Sequence, residues 1–255
     1  MAVETLWPEK QHMADAPQGE NGIEVNGRSA PALPLRLLLC TPPQGLDPAE
    51  AAYARALTDR LQGQMDEGNL ARAAAYDLVL TTQQAVDLPS TLRSGASVLI
   101  MGQPRWPLRH LLLICRAEAS DVVALPWVKR LATAETAVTL LVVVPCIPAV
   151  YRLAGPQPLG LHSLLHPDTT SGQHIRRLLQ ALSAAGITAR VRLRDGEPDE
   201  QIRREAATSL YELIVIAREE HGRLRHAVLG ELVTPMLAWL NTPLLLAKET
   251  LSARP

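Results

Sequence analysis

Short apolar runs alternate with helix-length amphipathic stretches along this chain, and the alternation starts twice. Leu37-Leu38-Leu39-Cys40 follows Pro34-Leu35-Arg36, and His110-Leu111-Leu112-Leu113-Ile114-Cys115 follows Pro107-Leu108-Arg109. Apolar runs of this length, bounded by turn residues, read as buried strands. Strands separated by helices imply right-handed crossovers and a parallel, doubly wound sheet. The fold class read from this grammar is α/β.

The first half is the shorter copy. Residues 1–33 mix Gly, Pro, Asn and Glu without a period and are expected to form a mobile tail. Asp47-Pro48-Ala49-Glu50 marks a helix start, with an N-cap Asp and Pro at the first position. Tyr53, Ala56, Leu57 and Leu61 fall on its inner face, and Gly68 or a neighbour is expected to stop it. Strands are expected over Tyr76 to Leu80 and Ser97 to Met101. In the second half, Glu118 to Ala132 reads as a helix bent or broken at Pro126. Val138 to Val144 reads as a strand, residues 145–170 as a long loop, and Gln173 to Ala185 as a helix stopped by Gly186. Strand Thr188 to Leu193, helix Pro198 to Thr208, strand Leu213 to Ile216, helix Glu231 to Leu240 and strand Pro243 to Ala247 complete it.

Two further matches extend the repeat. Tyr76-Asp77-Leu78-Val79-Leu80 parallels Tyr211-Glu212-Leu213-Ile214-Val215, and Ser97 to Met101 parallels Pro243 to Ala247. The N-terminal copy therefore holds equivalents of strands one, four and five and lacks two and three. The expected organisation is a tail (1–33), a reduced three-stranded α/β unit (34–105) and a complete five-stranded unit (106–250).

Composition narrows the function classes. Lys plus Arg is 25 against 26 for Asp plus Glu, a net charge of −1, which argues against a dedicated nucleic-acid or anionic-membrane binder. Phe is absent, so the core must be aliphatic. Three cysteines do not make a disulfide scaffold. The first thirty residues hold no signal-peptide core. The longest apolar stretch, Ala137 to Val150, is interrupted by Thr139, Pro145 and Pro148 and is short of the roughly 20 residues a membrane span needs. A cytoplasmic location with reduced thiols is expected.

From about residue 107 to 248 the chain resembles a universal stress protein domain. Five places carry the resemblance: Leu111 to Ser120 ending Glu118-Ala119-Ser120; Thr139 to Pro145; Gly196-Glu197-Pro198 with Ile202; Leu213 to Ile216; and Gly222-Arg223-Leu224-Arg225 with Leu229-Gly230 and Thr242 to Leu246. The resemblance implies an adenine nucleotide alpha hydrolase-like fold, with last strands pairing across a two-fold or pseudo-two-fold interface. Ser97 to Met101 and Pro243 to Ala247 are the candidates, pairing either within one chain or between two in a homodimer.

Nucleotide-binding relatives carry a loop of Gly, two residues, Gly, nine residues, Gly, then Ser or Thr. In that register this chain has Ala217, Glu220, Gly230 and Glu231, so one glycine remains. The missing glycines remove close backbone approach to phosphate. Glu220 and Glu231 add like charge where phosphate oxygens would lie. Cys115 stands where such relatives have Asp after the first strand, and offers only a weak hydrogen bond. The leading expectation is a non-catalytic stress-response or interaction protein, with no cofactor and an unidentified protein partner. The alternative is an ATP- or AMP-binding regulatory switch with slow hydrolysis, using Val143 near the base and Gly222, Arg223 and Gly230 near the phosphates.

Other constellations carry two readings each. Arg190, Arg192 and Arg194 share one face of a strand expected at the sheet edge. They form either a charged guard against strand pairing or an anion patch with Arg176, Arg177, Arg203 and Arg204. His162 and His166, with Asp168 and His174, are either a metal site or a solvated loop. Cys40, Cys115 and Cys146 end expected strands and are either core or redox residues.

Overall fold

A computed structural model describes residues 3–5, 34–116, 119–144, 166, 168–208, 210–218 and 225–248. Its strands are β1 (Val3–Thr5), β2 (Arg36–Cys40), β3 (Gln64–Glu67), β4 (Leu78–Thr82), β5 (Ser97–Met101), β6 (His110–Cys115), β7 (Ala137–Val144), β8 (Thr188–Asp195), β9 (Leu213–Ala217) and β10 (Leu244–Ala247). The α-helices are α1 (Pro48–Leu61), α2 (Leu88–Arg93), α3 (Leu125–Leu131), α4 (Thr170–Ser183), α5 (Pro198–Thr208) and α6 (Arg225–Trp239). Short 3₁₀ turns cover Leu70–Ala75 and Ala119–Ala124.

The ten strands form one sheet in the order β1-β8-β7-β6-β9-β10-β5-β4-β2-β3. From β8 to β10 all neighbours are parallel, giving the complete five-stranded doubly wound unit. From β5 to β3 they are parallel again. Direction reverses where β10 meets β5, antiparallel, with Leu244 opposite Ile100, Leu245 opposite Leu99 and Leu246 opposite Val98. Two aliphatic layers flank the sheet. One gathers Leu57, Trp127, Val128 and Leu178 over Leu37, Leu99, Leu113 and Leu245; the other gathers Tyr76, Ile202, Tyr211 and Met236 over Val79, Ile100, Leu112 and Leu246. Without Phe, branched aliphatic side chains fill most of both layers, with Trp127, Tyr53, Tyr76 and Tyr211 buried among them.

Several expectations are corrected. The N-terminal unit has four strands, because Gln64-Met65-Asp66-Glu67 pairs in parallel with β2. This short polar segment carries no apolar run to announce it. Helix α1 accordingly ends at Gln62, in the left-handed conformation, rather than near Gly68. Within 1–33, Val3–Thr5 form a strand against β8, so β8 is not the outermost strand. The break expected at Pro126 falls earlier, at the change from the 3₁₀ turn to α3, which places Pro126 in the first turn where no N–H is required.

Candidate functional site

In an open α/β sheet, ligands bind beyond the carboxyl ends of the strands where the strand order reverses. In the C-terminal unit that point lies between β6 and β9, whose register runs to Ile114 opposite Ile216. Cys115 and Ala217 come next on these strands, and both are buried in the same aliphatic layer. Burial, with the Asp121 charge, pushes the Cys115 thiol well above the ordinary cysteine range. Its Sγ faces only the Leu113 carbonyl, at 3.8 Å. Cys115 is therefore a core residue rather than a reactive thiolate. Burial raises Cys40 likewise.

Arg116 lies across the switch point. Its Nη2 donates to the Ala217 carbonyl at 3.2 Å, bridging the ends of β6 and β9. Its backbone N–H donates to Asp121 Oδ2 at 3.0 Å, and its Nε stands 3.9 Å from Asp121 Oδ1. Asp121 is fully buried, and His174 Nε2 from α4 lies 3.4 Å from its Oδ2. A buried carboxylate needs such partners. This cluster joins β6, β9, the 3₁₀ turn and α4 at the place a ligand would enter. Arg116 and Asp121 were not singled out in the sequence. The signal available was an arginine directly after a buried strand, with a carboxylate five residues on.

The other expected residues are placed as follows. Val143 is half-buried and packs on the opposite face of the sheet from Cys115 and Ala217. Glu220, Gly222 and Arg223 lie outside the described residues, as do His162 and Cys146. Gly230 and Glu231 fall within α6, not in a loop before it. Just before that region, Arg218 is buried and its guanidinium leaves the unit, donating to the carbonyls of Thr91 (3.1 Å) and Ser94 (2.5 Å).

The arginine stripe is neither an edge guard nor an open anion patch. Arg192 and Arg194 turn inward to Glu205 on α5, a fully buried carboxylate, at 2.6 Å each. The Tyr211 hydroxyl donates to the same carboxylate at 2.6 Å, and Arg190 Nε to Thr139 Oγ1 at 3.2 Å. His166 and Asp168 pair with each other in solvent, 3.3 Å apart, while His174 faces Asp121 at 3.4 Å. Among the described residues no three His, Cys, Asp or Glu side chains converge as metal ligands. No described helix is long and apolar enough to cross a membrane. A cavity of about 250 Å³, lined by Arg176, Leu179, Gln180, Ile187 and Ala189, sits at the amino end of β8, at the opposite edge from the switch point.

The sequence model of the universal stress protein family matches residues 108–248. Among solved structures, a proposed universal stress protein from Pseudomonas aeruginosa is 14% identical with a TM-score of 0.50, over 84% of this chain and 82% of that one. A universal stress protein from Archaeoglobus fulgidus is 12% identical with a TM-score of 0.49, over 78% and 75%. A universal stress protein family protein from Arabidopsis thaliana, solved with AMP bound, is 17% identical with a TM-score of 0.38, over 58% and 97%. At 14% identity, the Pseudomonas structure speaks to the fold alone. No curated protein matches the chain.

Proposed function

This chain is a member of the universal stress protein family, and from that premise we propose that it is a non-catalytic, stress-response interaction protein. Its C-terminal crevice is held shut by its own side chains rather than kept open for a nucleotide. One observation carries the reading: the Arg116 guanidinium spans the switch point, bonded to the Ala217 carbonyl and facing buried Asp121. A nucleotide there would have to displace an internal arginine bonded to the Ala217 carbonyl and leave Asp121 short of a facing cation, at a cost of several kcal/mol. Glu220 and Glu231, at the positions aligned with the family's phosphate loop, add repulsion of the same sign as phosphate. The last strands of the two units pair within one chain. In this reading that pairing stands in for a two-chain dimer, and the protein meets its protein partner in the cytoplasm as a pseudo-dimer.

Thermal unfolding of the full chain, with and without millimolar Mg-ATP or AMP, tests the proposal. A ligand at about 100 times its Kd adds about 2.7 kcal/mol, which moves the midpoint by several degrees. The expected result is no shift with either nucleotide. A saturable shift with either would overturn the closed-crevice reading and put the nucleotide-switch reading in its place.

A further inference from the structure

We propose that Arg60 and Arg218 couple the two units, so that the root of the C-terminal crevice and the N-terminal unit respond as one body. The last carbonyls of a helix have no partner inside it, and a cation there is favoured by the helix dipole. Each unit supplies that cation to the other. Arg218, the first residue after β9, is 6% exposed and donates to Thr91 O and Ser94 O at the end of α2 in the N-terminal unit. Its backbone N–H donates to Ala247 O at 2.6 Å, so the residue is tied to β10 as well. In the opposite direction, Arg60 in the last turn of α1 donates from Nε to Leu131 O at 3.2 Å and from Nη2 to Ala132 O, at the end of α3 in the C-terminal unit.

The backbone seam between β5 and β10 is locked at one end by Ser97. Its hydroxyl both donates to Lys248 O (3.0 Å) and accepts from Lys248 N–H (2.8 Å). Arg218 stands directly before residues 219–224, the segment aligned with the family's ligand loop. Displacing Arg218 therefore lifts the guanidinium from α2 and removes its hydrogen bonds to the Thr91 and Ser94 carbonyls.

Peptide-resolved hydrogen exchange on the full chain tests this with R218A and R60A. In R218A, exchange of the peptide covering 88–94 is expected to rise about tenfold, the loss of a charged hydrogen bond. In R60A the same rise is expected over 125–132. Each effect appears in the unit that was not mutated. If R218A fails to fold, R218K serves: an ammonium satisfies one carbonyl less well than a fork satisfies two, so a smaller rise in the same peptide is expected. Urea unfolding of the wild type is expected in one transition, and of the R60A/R218A double variant in two. Exchange rising only beside the substituted residue, or a wild type that unfolds in two transitions, would overturn the coupling.

Discussion

Glu205 shows how one residue can redirect the chemistry of a whole stripe. Burial alone pushes its carboxyl up, yet the Tyr211 hydroxyl, Arg194 and Arg192 together hold it below the ordinary glutamate range. A folded-state value below the unfolded one adds stability above the unfolded value and loses it as pH falls through the folded one. Glu205→Gln is therefore expected to cost about 2 kcal/mol at pH 7. The gap to wild type should narrow as pH falls below about 4.3, measured by urea unfolding across that range. The alternation of Arg190, Arg192 and Arg194 was legible in the sequence; the partner of Arg192 and Arg194 was not, because it sits on α5, whose packing on the sheet is a tertiary matter. Gly102 is a second case. A Cβ there would lie 2.1 Å from the Asn241 carbonyl, so the close approach of the two units at this end of the seam excludes any side chain.

At the scale of elements, local chemistry was readable wherever it was self-contained. The start of α1 is a capping box: Glu50 N–H donates to Asp47 Oδ1 at 2.7 Å, and Asp47 N–H donates to Glu50 Oε2 at 3.0 Å. Both partners lie within three residues, so spacing alone announces them. Asp47→Ala is expected to cost about 1 kcal/mol and Asp47→Asn much less, by urea midpoint. Strand β3 is the opposite case. Apart from half-buried Met65, its residues Gln64 to Glu67 are polar and exposed, and only the β2 edge makes them a strand. Asp66 and Glu67 then leave charge on that outer edge, which discourages further pairing. The end of α1 shows why its stop was misplaced: at Gly63 a Cβ would meet the Leu35 carbonyl at 2.8 Å, so the chain turns there to reach β2.

At the scale of the molecule, the antiparallel seam between β5 and β10 makes one sheet of two parallel sets. Each strand at the seam is paired on both sides, so neither offers a free edge to a second copy. Light scattering of the purified chain is expected to give a monomer of 27.7 kDa; a dimer would show that the internal seam does not replace a two-chain interface. The sequence by itself determined the α/β class, the family and most of the strands, because apolar periodicity and caps are local and each buried strand must be apolar throughout. The family resemblance also made Ser97 to Met101 and Pro243 to Ala247 candidates to pair, within one chain or between two, and the structure pairs them within one. The tertiary structure alone decided that Arg116 spans the ends of β6 and β9, that Arg192 and Arg194 turn inward, and that Arg60 and Arg218 serve the opposite unit. A long charged side chain is indifferent to its neighbours in sequence; what it binds depends on which carbonyl or carboxylate the packing of distant elements brings within reach.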